Sequence, residues 1–327
     1  MADADSSASR SRGAARGRAA AWLELLRLPN LLTVPGDPLV GLVVATSSAP
    51  LRMWLAAPAA SVFLYAAGLV QNDWADRRRD ARDRPDRPLP SGRVAARTAL
   101  VTSVVLLVAG LAAARFCGPW TLATACGLVA AITCYNLLAK RLPVIGPLTM
   151  GVCRALSVGI GLAAGAEHVA AGWPGDSWPG LSLMQYAPAG LIGAYVTALT
   201  AVAQHEGRTA RVGWVRDLPA GMLAVVATWV VIGTIDVPLS AETWHYWASL
   251  AALLAAVLWA GRCAAGLALA RRPDDVQRNV GRLVRGVMLL QAWLLFAAGD
   301  DVGLILGGSA VALFVVAGVL SRRFASS

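Results

Sequence analysis

Ten apolar stretches of near-constant length dominate this chain and leave little freedom in what it can fold into. They fall at about 31–49, 51–71, 98–115, 119–138, 145–164, 183–204, 218–235, 247–270, 283–299 and 302–320. Each is close to the roughly 20 residues a helix needs to cross hydrocarbon. The weakest is 283–299, which carries Arg285 and Gln291 and reads as partly interfacial. The expected fold is therefore all-α, a polytopic transmembrane helical bundle. Composition agrees: 57% of residues are hydrophobic and only 15% charged, against about 25% charged in water-soluble domains. The five cysteines lie in or beside apolar runs without CxxC spacing, so they read as small buried hydrophobes, with neither a disulfide framework nor a metal–thiolate site.

The formal net charge is +10, with Lys140 the single lysine among 29 basic residues. These charges sit in short loops between apolar segments, which suits membrane topology and argues against a nucleic-acid partner. Alternate connections are basic: the N-terminal tail, 72–97, Lys140-Arg141, 205–217, 271–282 and the C-terminal Arg322-Arg323. The intervening ones are short or acidic, with Glu167, Asp176, Asp236, Glu242, Asp300 and Asp301. By the positive-inside rule, ten spans put both termini and the 72–97 connection in the cytoplasm. Residues 1–20, rich in Ala, Ser, Gly and Arg, read as a disordered basic cytoplasmic tail rather than a signal peptide. Residues 21–327 read as the transmembrane domain.

One connection is chemically unusual. "GLVQNDWADRRRDARDRPDRPLPSGR", residues 68–93, packs five aspartates and seven arginines against the end of an apolar segment. At about 100° per residue, Asn72, Asp73, Asp76 and Asp80 share an arc of about 100° on a helix, and Asp83 joins them if the helix continues. Like charges at i, i+3 and i+4 repel, so the face calls for a cation. Hard oxygen ligands suit Mg²⁺, which binds through one or two carboxylates together with substrate phosphates. The plainer alternative is a solvated charge run neutralised by Arg77, Arg78, Arg79, Arg82 and Arg84. Beyond the acids, the Pro-punctuated "RPDRPLPSGR" presents Arg84, Arg87 and Arg93 nearby. Carboxylates, Mg²⁺ and arginines together make a diphosphate site.

"NDWADRRRD" resembles the NDxxDxxxD motif of the UbiA superfamily of intramembrane prenyltransferases, and "RPDRPLPSGR" is similar to the RPxRPLPSG that follows it there. "LRLPNLLTVPGDPLVG" resembles the family's first helix, with its asparagine at Asn30. "CYNLLAKRLPVIGPLTMGVCRAL" resembles the region joining its fourth and fifth helices. The likeness covers roughly residues 25–320 and is greatest to the EboC-like branch. It implies a bundle around a central cavity, generally with nine helices where ten segments are counted here. It also implies that Asn72, Asp73, Asp76 and Asp80 hold Mg²⁺ on the diphosphate of an isoprenoid donor, with Asp73, Asp76 and Asp80 catalytic. Tyr135 and Lys140 resemble a Tyr–Lys pair that contacts the diphosphate, spaced YxxxxK here. Arg154, well inside an apolar segment, needs a partner or a wet cavity and is a further candidate for the anion, as are Asn30, Arg84 and Arg87.

The family's second Asp-rich motif is missing. The corresponding stretch reads "TALTAVAQHEGRTAR", leaving Glu206 as an oxygen ligand and Arg208 beside it. Arg208 can replace the charge of a second ion on the diphosphate, Glu206 can retain that ion weakly, or catalysis can have been lost, leaving a lipid carrier. The expected activity is Mg²⁺-dependent transfer of a prenyl group from an isoprenyl diphosphate to a small-molecule acceptor. The alternative is a UbiA-type terpene cyclase acting without an acceptor. The expected setting is the lipid bilayer of a bacterial cytoplasmic membrane, with the site facing the cytoplasm.

Overall fold

The computed structural model describes residues 17, 19–172, 180–205, 212–233 and 244–323. A helical segment at 19–25 and a single turn at Leu28–Leu31 lead into ten longer helices. These are α1 (Gly36–Ala45), α2 (Leu51–Asp83), α3 (Ala96–Cys117), α4 (Pro119–Leu137), α5 (Ile145–Ala171), α6 (Ala187–Ala203), α7 (Leu218–Ile232), α8 (Trp244–Ala268), α9 (Pro273–Phe296) and α10 (Asp301–Arg323). Among the described residues, nine stretches are long and apolar enough to cross a membrane, the first counted from Leu28 through α1. The chain is an integral membrane protein.

The helix outside that set is α9, which contains the weak segment 283–299. Its apolarity is diluted by a charged N-terminal half, where Asp274, Arg278 and Arg282 are exposed, and by two buried amides, Asn279 and Gln291, that its surroundings satisfy. Gln291 is 1% exposed and reaches Thr33 and Asp37, Asn279 Nδ2 donates to the Asp275 carbonyl one turn earlier, and Tyr195 of α6 and Trp259 of α8 donate to the α9 carbonyls of Leu283 and Arg282. Short connections at 269–272 and 297–300 lay α9 alongside both α8 and α10, the arrangement of helical hairpins. It is buried within the bundle rather than interfacial. Its N-terminus also begins earlier than expected, because Pro273 at the first position and Asp275, accepting from the Arg271 and Arg272 backbone, start a helix inside the basic 271–282 stretch.

Two apolar clusters build the bundle. One joins α1 and α5 to α6, α7, α8, α9 and α10, and the other joins α1 and α5 to α2, α3 and α4. Both draw on α1 and α5, which cross at close range. A side chain on Gly41 would meet the Val158 carbonyl, and one on Gly161 the Pro38 carbonyl. Between apolar helices in lipid, small residues at the contact and interhelical hydrogen bonds supply the association. Ser103 of α3 donates to the Ala67 carbonyl of α2, and Asn136 of α4 to that of Gly68.

At 33 residues, α2 is about 50 Å long at the usual rise, well beyond a hydrocarbon thickness of about 30 Å. Its last three turns therefore carry the acids past the apolar run on one continuous helix. Ala21 and Leu25 of the helical segment at 19–25 are buried with Val70, Leu89 and Val94; residues 1–16 and 18 of the expected tail lie outside the described residues.

Candidate active site

Helix α2 runs unbroken through Asp83, so Asn72, Asp73, Asp76 and Asp80 do lie on one helix. Each acid meets a base from a different part of the chain. Asp73 pairs with Arg27 at 3.3 Å, Asp76 with Lys140 at 2.7 Å, and Asp80 with Arg87 at 3.0 Å. Asp73 and Asp80 are buried, at 7% and 8% exposure. Lys140 comes from the short 3₁₀ turn Ala139–Arg141 between α4 and α5, and its ammonium also lies 3.2 Å from Asn72 Oδ1. The plain alternative, acids neutralised by arginines of their own helix, describes only Arg79 with Asp83, an exposed i,i+4 pair. Arg77 instead lies 4.1 Å over the Trp74 ring.

Asn72 and Arg27, the latter paired with Asp73, line a cavity of about 160 Å³ to which the aspartates themselves contribute no wall. Arg27, Asn72 and Tyr135 line it towards the acids, while Ser61, Arg154 and Ser157 line it at depth. Its walls come from α2, α4, α5 and the chain ahead of α1, and they are mostly apolar at Val34, Leu69, Leu128 and Ile132. Tyr65 is part of the wall. Trp120 and Trp229 are 72% exposed on the outer surface, and Trp54 bonds the Ala49 carbonyl. An aromatic residue in an apolar helix does not disclose which face it occupies.

The remaining sequence candidates divide. Tyr135 and Lys140 are brought to the acids, and Arg87 to Asp80. Arg84 terminates α2 on the exposed surface, and Asn30 lies in the turn before α1, with its carbonyl accepting from Thr33. Arg154 has its charge balanced by Asp37 at 3.0 Å. Glu206 and Arg208 lie outside the described residues.

Sequence reasoning missed Arg27 and Asp37. Arg27 is the one non-glycine residue at positive φ among the described residues, at 46°. Backbone in this region is disfavoured and concentrates at functional positions. Here it swings the guanidinium onto Asp73 at the cavity. The available signal was an arginine at a membrane entry followed by Pro29, which reads as topogenic. Asp37, fully buried in "VPGDPL", reads locally as a turn residue.

The oxygen set is suited to a hard divalent cation. Asn72 Oδ1 and Asp76 Oδ2 already converge on one cationic atom, Lys140 Nζ. Among the described residues no three acidic, His or Cys side chains gather around one point. Asp73, Asp76 and Asp80 are instead spaced along α2, each resting on its own base.

The family model described as the UbiA prenyltransferase family matches residues 38–280, and the chain belongs to that family. It is 35% identical over 132 residues to digeranylgeranylglyceryl phosphate synthase of Methanothrix thermoacetophila, an alignment covering 39% of this chain and 48% of that protein. It is 36% identical over 104 residues to the bacteriochlorophyll synthase 33 kDa chain of Cereibacter sphaeroides, covering 32% and 34% respectively. These alignments thus span about half or less of the curated relatives' lengths. Its fold is similar to that of a UbiA homolog from Archaeoglobus fulgidus bound to GPP and Mg²⁺, with a TM-score of 0.59 and 18% identity over 86% of this chain and 99% of that one.

Proposed function

We propose that this chain is a Mg²⁺-dependent intramembrane prenyltransferase, which ionises an isoprenyl diphosphate and passes the prenyl group to an acceptor. The observation that carries this reading is the set of three acid–base pairs, Asp73–Arg27, Asp76–Lys140 and Asp80–Arg87, joined through Arg27 and the neighbouring Asn72 to a mostly apolar cavity that those two residues line. Asn72, Asp73, Asp76 and Asp80 would hold Mg²⁺, with Glu206 a further oxygen ligand. The ion supplies charge neutralisation of the leaving diphosphate. Lys140, Arg27 and Arg87, each resting on a carboxylate, are placed to turn to phosphate oxygens when that carboxylate takes a metal, with Arg208 and Arg84 beyond them. Tyr135 lines the wall where the diphosphate meets the prenyl chain. The apolar walls at Leu69, Leu128 and Ile132 exclude water from the allylic cation.

The loop charges support a cytoplasmic-facing site in a bacterial cytoplasmic membrane, and a reporter fused after Ser327 that signals from outside the cell would overturn that topology. The "LRLPNLLTVPGDPLVG" and "CYNLLAKRLPVIGPLTMGVCRAL" stretches support a place in the EboC-like branch. A tree over residues 38–280 that groups the chain elsewhere removes that assignment.

The test is to incubate purified protein with Mg²⁺ and geranyl, farnesyl or geranylgeranyl diphosphate, with and without acceptors, beside an Asp76→Ala variant. Release of pyrophosphate that requires Mg²⁺ and Asp76, with a prenylated adduct by mass spectrometry, is the expected result. Cyclic hydrocarbons formed without acceptor would make it a cyclase. No turnover of any diphosphate would sink the enzyme reading.

A further inference from the structure

The cavity follows one face of α2 and is closed at its inner end. Ser61, Tyr65, Gly68, Leu69 and Asn72 line it, a spacing of three and four that puts all five on one side of the helix. Asn72 follows Ser61 by 11 residues (72 minus 61), so the lined length is about 16 Å by helical rise. The flank between α2 and α4 is sealed. Ile132 packs onto Gly68, where a Cβ would come within 2.8 Å of it, and Asn136 Nδ2 donates to the Gly68 carbonyl and to Gln71 Oε1, both at 2.9 Å. Between α2 and α5 the Ser61 and Ser157 hydroxyls bond one another at 2.5 Å and form the floor, and the lining ends with these two residues on their helices. One turn beyond them, Ala57 of α2 and Ile160 of α5 are fully buried in an apolar cluster with Ala60 and Ala164. Arg154 braces the floor from the side, with its Nη2 3.0 Å from Asp37 Oδ1, where Gln291 Nε2 also bonds at 2.7 Å.

We propose that this floor sets the length of the donor, admitting a prenyl chain of up to three isoprene units and excluding four. The proposal rests on the prenyl-transfer reading above and adds to it which class of isoprenyl diphosphate the site takes. The diphosphate belongs with the bases: Arg27 and Asn72 stand at the far end of the lining from the floor, beside Asp73 and Lys140. The length between Asn72 and Ser61 therefore takes the hydrocarbon, against walls that are apolar at Leu69, Leu128 and Ile132. Three main-chain bonds of an extended chain span about 3.3–3.6 Å, so the four bonds of an isoprene unit span roughly 4.5–5 Å. Three units then reach about 14 Å, within the lined length, and four reach about 19 Å, past the floor. A terminal methyl resting on Ser61 and Ser157 takes no partner from either, because the two hydroxyls bond each other. A fourth unit would have to part that contact and enter the packed layer at Ala57 and Ile160, where even one added methylene is felt.

The test uses the full-length protein in detergent with Mg²⁺ and geranyl, farnesyl or geranylgeranyl diphosphate. Calorimetric titration gives Kd for each donor, and pyrophosphate release gives turnover. Farnesyl diphosphate should bind more tightly than geranylgeranyl diphosphate by about tenfold or more. Ser61→Leu fills the inner end and should move the farnesyl-to-geranyl affinity ratio about tenfold towards geranyl. Leu128→Ala empties part of the wall, serves if Ser61→Leu does not fold, and should move the farnesyl-to-geranylgeranyl ratio towards the longer chain. A general loss of fold weakens every donor together, so the ratios read the floor alone. Geranylgeranyl diphosphate binding as tightly as farnesyl diphosphate in the wild type, or ratios unmoved in both variants, would each overturn the proposal. If Mg²⁺-dependent pyrophosphate release persists under such a result, the prenyl-transfer reading stands and only the floor assignment falls. If no diphosphate is bound or turned over, both fall.

Discussion

Lys140 Nζ lies 2.7 Å from Asp76 Oδ2 and 3.2 Å from Asn72 Oδ1, so the chain's single lysine ties the turn between α4 and α5 to the charged end of α2. Both side chains of the pair are mostly withdrawn from solvent, at 14% and 18% exposure. Contacts from a charged donor contribute about 1.5–3 kcal/mol each. Lys140→Ala should therefore raise donor KM by roughly 10- to 150-fold. Lys140→Arg should restore little, because a planar guanidinium does not replace a compact ammonium that bridges two oxygens. Steady-state kinetics at saturating Mg²⁺ check this, and a KM within threefold of wild type in Lys140→Ala removes Lys140 from the donor site.

Asp73 and Asp76 are assigned as metal ligands, so Asp73→Asn and Asp76→Asn should each lower pyrophosphate release by about 100-fold or more, the scale of losing one electrostatic stabiliser of a transition state. Chelation of Mg²⁺ should silence the wild type and be reversed on adding the ion back. A variant that keeps wild-type turnover and an unchanged Mg²⁺ titration contradicts the ligand role of that residue.

Much of this site is readable along the chain because it lies on one helix. Asn72, Asp73, Asp76 and Asp80 are set by local spacing, and only the length of α2, through Asp83, had to be learned from the structure. Their partners are harder to read. Arg27 and Lys140 come from other segments, and a basic residue at a membrane boundary has topology as its ordinary explanation. The floor is less legible still: Asp37, Arg154 and Gln291 stand on α1, α5 and α9, and no local period links them. The polarity of Gln291 that made 283–299 look interfacial is the contact that fastens α9 inside the bundle.

The Asp37–Arg154 pair makes a stability prediction independent of catalysis. Removing one member of a buried pair leaves an uncompensated charge and costs about 3–5 kcal/mol, whereas apolar replacement of both can be neutral or better. Asp37→Leu and Arg154→Met alone should each be strongly destabilised in thermal unfolding in detergent, and the double variant should recover most of the loss. Additive losses in the double variant would show that the two side chains act separately.

Gly161 marks the closest approach of α5 to α1. Any side chain there meets the Pro38 carbonyl and the Leu42 backbone nitrogen, neither of which can rotate away. Gly161→Val should destabilise by at least the roughly 1–3 kcal/mol of an overpacked contact, and should also reduce turnover, since α1 and α5 carry Asp37 and Arg154. A melting temperature equal to wild type would mean that the helices separate at little cost.

Arg27 sets local stability against function. Its left-handed backbone, at φ 46°, costs of order 1–3 kcal/mol for a non-glycine residue, and its ion pair with Asp73 repays only part of that, because the arginine side chain is 35% exposed. Glycine adopts the same φ without a Cβ clash. Arg27→Gly should therefore leave the melting temperature unchanged or raise it, while weakening donor binding by tenfold or more through loss of a charge-assisted contact. Arg27→Lys keeps the charge and the backbone strain, and should recover part of the binding but none of the stability. If Arg27→Gly lowers the melting temperature and leaves donor KM untouched, Arg27 serves the fold and has no part in the site.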